Sequence, residues 1–196
     1  SLFIACCIIL LASLGACSAT YRVYTNGMFN GQRALAKGDY EGARLNFEKA
    51  YEYEQDPVLL TYLAVVNYKT NNLADAERLI REAEWRGAND VYHLRTIGYK
   101  ALILLKQDHP EGMDALSQYL AAYALRDPLM TIHDVDGMRR SGAIDMVRLE
   151  KLIEDQVSWY EGEIEQYLSS GTGFYDGKYS GTGSFFRSRG GIFYGR

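Results

Sequence analysis

From residue 24 onward, apolar side chains recur at intervals of three and four, the spacing of a single buried helix face. Ala43, Phe47, Ala50 and Tyr51 form one such stripe over Tyr40–Glu54. The Gly38-Asp39 turn separates it from an earlier helix over Gly27–Lys37. The residue before a proline is pushed away from the helical region, so Asp56-Pro57 ends the second helix. The pattern then returns, predicting helices over Val58–Lys69 and Leu73–Arg86 with Asn71-Asn72 between them. Asparagine tolerates the left-handed conformation that Gly38 supplies at the earlier turn.

The two hairpins match position by position. Gly38, Ala43, Phe47 and Ala50 become Asn71, Ala76, Ile80 and Ala83, each about 33 residues on, and a period of that size marks a helical repeat. A third pair opens at Asp90 or Val91 and ends at Arg126-Asp127-Pro128. Gly98 follows Ala64 in register, whereas Ala115, Tyr119 and Ala122 arrive several residues late. The additional residues fall at Gln107-Asp108-His109-Pro110, which predicts a longer first helix and a looser turn. Gly31, Ala64, Ala76 and Gly98 are small where two helix axes must approach closely. These aromatic and small positions resemble the tetratricopeptide repeat family. The resemblance implies an all-α, antiparallel helix-pair solenoid of three pairs over 24–128. A stacked array leaves its last apolar face open, and the segment 129–168 is expected to cap it. Within that segment Leu149, Leu152, Ile153, Val157, Tyr160, Ile164, Tyr167 and Leu168 share a stripe with acidic residues opposite.

The N-terminus adds an address. Leu2–Ala16 is apolar, but at about 15 residues it is shorter than a spanning helix needs, and it reads as the core of a secretory signal. It opens at Ser1 with neither Met nor a basic stretch, as expected of a chain that begins inside its gene product. Leu14-Gly15-Ala16-Cys17 resembles a bacterial lipobox, which implies acylation of Cys17, a short lipidated tether over 17–23 and, with Ser18 following, sorting to the outer membrane with the body on the periplasmic face. Cys6 and Cys7 lie in the removable segment, so only Cys17 would survive processing, and no internal disulfide could form. An ordinary cleaved signal ending at Ala16 or Ala19 is the alternative.

Composition narrows the partners. A net charge of −4 argues against a general nucleic-acid binder. The 16 tyrosines suit packing between helices and the lining of a groove, because a ring supplies much contact area for little lost entropy. The tail, 169–196, changes character to glycine and aromatics, with Lys178, Arg187, Arg189 and Arg196 against Asp176. It is expected either to stay disordered or to form a short hairpin about Asp176-Gly177.

Nothing converges for catalysis. His93, His109 and His133 are isolated and read as surface or turn residues. His133-Asp134-Val135-Asp136-Gly137 fails as a calcium loop, since Ile132 and Ala143 stand where liganding residues belong. It reads as a turn that caps a helix. Gly173–Lys178 has the wrong glycine spacing for a phosphate loop. No enzyme activity, cofactor, metal or small-molecule substrate is expected.

In the repeats that this chain resembles, the first helix of each pair lines a concave surface. Carried over, those positions are Met28, Gln32, Tyr62, Val65, Lys69, Tyr92, Arg95 and Tyr99, with Lys69 and Arg95 as anion contacts for a protein or peptide partner. The expected function is a non-enzymatic scaffold, lipid-anchored at the outer membrane, that supports an envelope assembly or secretion complex. The alternative is a structural protein whose tail binds a cell-wall or surface polymer, or pairs with a partner's sheet.

Overall fold

The computed structural model describes residues 22–87, 92–124, 131–170, 184–188 and 191–195; the side chains described are those up to 162, apart from 123 and 124. The apolar run, Cys17 and the Asp176-Gly177 turn lie outside these residues. Over them the chain is all-α in its body, with sequential helices packed against one another. Helix α1 spans 22–36, beginning within the segment expected as a tether. It is followed by α2 (Tyr40–Tyr53), α3 (Pro57–Lys69), α4 (Leu73–Trp85), α5 (His93–Lys106), α6 (Gly112–Ala124), α7 (Ile132–Ser141) and α8 (Met146–Ser170).

The same clasp ends α1, α3 and α5. Gly38, Asn71 and Asp108 are left-handed, with φ of 76°, 61° and 51°. Their amides donate to Leu35, Tyr68 and Leu105 at 3.0, 3.0 and 3.1 Å. The next amides, of Asp39, Asn72 and His109, reach back to Ala34, Asn67 and Leu104 at 3.0, 2.8 and 2.9 Å. This pair of bonds is the Schellman closure of a helix C-terminus, which satisfies carbonyls that the helix cannot. The third corner, expected to be looser, therefore closes like the other two. Its additional residues come after the clasp, where the His109 imidazole Nδ1 accepts the Glu111 amide at 3.2 Å just before α6.

Helix starts are also written in the sequence. The Asp39 carboxylate accepts the Gly42 amide at 2.9 Å, capping α2. Asp56-Pro57, expected to end a helix, also begins one: Asp56 caps α3 through the Val58 amide at 2.9 Å, and Pro57 takes the first position, where a missing N–H costs nothing. Tyr24 on α1 donates to the other Asp56 oxygen at 2.6 Å, tying the first helix to the start of the third.

Packing follows the small residues. A Cβ placed on Gly27 would stand 2.7 Å from the Ala50 Cβ and 2.8 Å from the Asn46 carbonyl oxygen. One placed on Gly31 would stand 2.4 Å from the Phe47 ring. The residue order, 27 with 50 and 31 with 47, makes α1 and α2 antiparallel at close approach. Gly98 plays the same part on α5, where a Cβ would meet Ile153 at 2.8 Å and Tyr119 at 3.2 Å. Helix α3 is buried almost all round, between α2, α4 and α5, as is α5, between α3, α4, α6 and α8. The Thr61 and Thr96 hydroxyls meet at 2.9 Å where α3 and α5 touch, so neither is left unsatisfied.

The segment 129–168, expected to cap the array with its acidic side outward, divides in two. Helix α7 lies against α6, and α8 lies against α5 and reaches α3. His133-Asp134-Val135-Asp136-Gly137, read as a turn, falls inside α7. Among the described tail residues, β1 (Ser184–Ser188) and β2 (Gly191–Gly195) pair antiparallel, with Phe186 opposite Phe193 and Phe185 opposite Tyr194. This hairpin lies beyond the position at which one was expected.

Candidate functional site: the groove along α3 and α5

The inner helices α1, α3 and α5 present an aromatic and cationic surface. Phe47 stacks on Tyr62 with ring centroids 4.9 Å apart, and Tyr62 meets Tyr92 edge-on at 5.8 Å. Tyr68 and Tyr99 meet edge-on at 5.6 Å. Arg95 lies over the Tyr62 ring at 5.0 Å, and Lys106 over Tyr68 at 4.5 Å, both within cation–π range. Gln32 on α1 donates to the Tyr62 hydroxyl at 2.6 Å, which joins the first and third helices across the floor.

Helix α8 answers this surface group by group. Glu150 accepts from the Tyr68 hydroxyl at 2.7 Å and the Lys69 ammonium at 2.6 Å. Glu154 accepts from the Tyr99 hydroxyl at 2.6 Å and pairs with Lys69 as well. Glu161 receives both Arg95 Nε and Nη2, at 2.9 and 2.6 Å. With side chains 10% and 9% exposed, this last pair is buried and bidentate. Gln156, fully buried, accepts from the Tyr119 hydroxyl at 2.5 Å and donates to the Thr131 hydroxyl at 3.0 Å. Beside these groups Leu149, Ile153 and Val157 are completely buried.

Between α8 and the floor a cleft of about 550 Å³ stays open. Five of the expected groove residues line it: Gln32, Tyr62, Lys69, Arg95 and Tyr99. Its other wall is α8, through Glu154, Asp155, Ser158, Glu161 and Gly162. Met28 and Val65 are buried in the core, and Tyr92 packs beside Tyr62 without lining the cleft. Lys69 and Arg95, expected as anion contacts for a partner, are ion-paired within the chain. The residues that sequence reasoning missed are Tyr68 and the α8 set, Glu150, Glu154, Gln156 and Glu161. A signal was present. Lys69 and Arg95 sit on apolar helices with no carboxylate three or four residues away, unlike Arg81 and Arg86, which pair locally with Glu77 and Glu82. Cations in that position need a carboxylate from elsewhere.

Burial pushes the Glu150 carboxyl up, but hydrogen bonds from Lys69 and Tyr68 outweigh it and hold the group below its ordinary 4.5. Burial likewise pulls Lys69 down, and the bonds to Glu150 and Glu154 outweigh that and raise it above 10.5. A depressed carboxyl contributes stability that is complete above its unfolded value and is lost as pH falls through the folded one. A raised ammonium contributes stability that is complete below its unfolded value and is lost as pH rises through the folded one. The Glu150–Lys69 pair should therefore make its full contribution well inside the interval from 4.5 to 10.5 and lose it towards either end. Thermal melts followed by circular dichroism down to about pH 3 check the acid side, where Glu150→Gln should flatten the dependence relative to wild type.

Among the described residues, no group of three or more His, Cys, Asp or Glu could hold a metal ion, and no helix is long and apolar enough to cross a membrane. The fold and the groove define an all-α protein of adjacently packed helix pairs, with its last long helix laid along the inner helices. No protein-family model matches the chain, and no curated protein matches it significantly.

Proposed function

We propose that the chain is a protein-binding scaffold built as a tetratricopeptide-like solenoid, tethered at the outer membrane through a lipid on Cys17, and that it supports an envelope assembly or secretion complex. The observation that carries this reading is the open cleft between the inner helices and α8, walled by phenols, an amide and charged groups. Such a mixture suits recognition of a peptide better than chemistry. The repeated clasps at Gly38, Asn71 and Asp108 and the glycine contacts at 27, 31 and 98 support the solenoid. The lipobox-like Leu14-Gly15-Ala16-Cys17 supports the address.

Photo-crosslinking in the cell tests the site. A benzoylphenylalanine at Gln32 or Ser158, both on the cleft, should capture a discrete protein, whereas the same group at Trp85, 84% exposed on α4, should not. Equal capture from both surfaces would remove the cleft from the argument. Palmitate labelling that persists in Cys17→Ser would remove the anchor. The tail favours a second reading, because an isolated two-stranded hairpin is marginal and gains from a further strand. Deleting Gly171–Arg196 separates the two: partner capture at the cleft survives the deletion if the first reading is right.

A further inference from the structure

The acidic residues of α8 are spaced for recognition. Glu150, Glu154 and Glu161 lie four and eleven residues apart. At about 100° per residue this places them within roughly 40° of one another, as one stripe along the helix. The stripe borders the buried Leu149, Ile153 and Val157. Opposite it, the receiving helices offer the matching set: the Tyr68 hydroxyl and Lys69 ammonium for Glu150, the Tyr99 hydroxyl and Lys69 for Glu154, and the Arg95 fork for Glu161. The contact has the form of a helix ligand seated in a groove.

We propose that the inner face of α3 and α5 is a receptor for acidic amphipathic helices, and that α8 is its resident occupant, exchangeable for a helix of the same chemistry on a partner. This rests on the scaffold reading and adds to it a mode of engagement in which the partner takes the place of α8 on the inner face, where a cleft-bound peptide would lie beside it. Two observations support exchange, and a third fixes what can take the place of α8. First, much of the contact is ionic and hydroxyl in character. Such groups recover their water when parted, so the ion pairs hold orientation more than net stability. Second, the chain between α7 and α8, 142–145, is short and open, with Gly142 left-handed (φ 67°) and Gly142, Ala143 and Asp145 exposed, and the polar contacts described between the two segments are the Arg148–Asp134 pair and the Gln156–Thr131 bond. Third, removing α8 would bare the apolar surface that Leu149, Ile153 and Val157 cover. The groove therefore does not simply open, and whatever displaces α8 must bring both an apolar stripe and the carboxylates. A basic or purely polar segment does neither.

The experiment uses the full chain and, as probe, a fluorescein-labelled synthetic peptide of residues 145–168. Inserting about 20 Gly/Ser residues after Gly142 leaves every α8 contact intact but lowers the effective concentration of α8 about tenfold. By fluorescence anisotropy, the peptide should bind the lengthened chain about tenfold more tightly than wild type. A peptide with Glu150→Lys, Glu154→Lys and Glu161→Lys should not bind. Lys69→Glu in the lengthened chain should weaken the parent peptide and accept one carrying Glu150→Lys. Circular dichroism of the lengthened chain confirms that it remains folded. Equal binding to wild-type and lengthened chains, or equal binding of the charge-reversed peptide, overturns the proposal. Should it fail while crosslinks from Gln32 persist, the scaffold reading stands and only the partner's chemistry is wrong. Loss of both would remove the scaffold reading as well.

Discussion

Arg95→Ala is expected to destabilise the protein by about 3–5 kcal/mol, because it strands a carboxylate that the fold has already taken out of water. Glu161 is 7% exposed, and both of its described bonds come from the Arg95 fork. Glu161→Ala should cost less, since the orphaned guanidinium keeps the Tyr62 ring beneath it at 5.0 Å. The double variant Arg95→Met with Glu161→Leu should recover most of the loss, because an apolar pair of similar volume pays no desolvation. Urea unfolding of wild type, the two alanine variants and the Arg95→Ala, Glu161→Ala double closes a cycle that isolates the coupling between the two residues, with the Met and Leu variant measured beside them. A loss below about 1 kcal/mol for Arg95→Ala would mean that water reaches this pair, and that α8 lies less firmly on α5 than the geometry says.

Phe47→Ala should be of similar size, about 3–5 kcal/mol, for a different reason. The ring is fully buried, seated on Gly31 and stacked on Tyr62. Glycine at 31 leaves a socket that the Phe47 ring fills, so truncation to alanine creates a cavity with two unsupported walls. Tyr62 would also lose its backing, and with it the platform under Arg95. Phe47→Leu, which keeps most of the volume, should cost under about 1.5 kcal/mol. Denaturant midpoints at unchanged m value check both.

How much of this was legible depends on whether the information is local. Helix ends were, because Gly38 and Asn71 sit where a left-handed residue must end one helix and start the next, and Asp56-Pro57 carries its own cap. Asp108 was read as part of a loose corner. Aspartate adopts the left-handed conformation only occasionally, so sequence alone gives it less weight than glycine or asparagine. The buried stripe of α8 was legible too, from Leu149 through Val157. Its place was not, since a carboxylate row on an amphipathic helix looks the same whether it faces solvent or a cationic groove. The unmatched Lys69 and Arg95 pointed to carboxylates from elsewhere in the chain, but Lys100 on α5 is equally unmatched and finds Glu84 on α4, so that signal does not name the helix that answers it. Met28 and Val65 show the opposite error. Val65 lies on α3, which is flanked by α2, α4 and α5 and has little surface left to offer a partner, and Met28 lies on the buried side of α1; the helix a residue belongs to does not say which of its side chains stay accessible.

The chain has 2 tryptophans, and the structure separates their surroundings. Trp85 stands in solvent at the end of α4, whereas Trp159 rides on α8, part-buried against the core. Trp85 should contribute a constant, red-shifted background to the emission. A blue component that moves with conditions must then originate at Trp159, so the protein carries an intrinsic optical reporter of whether its last long helix is seated.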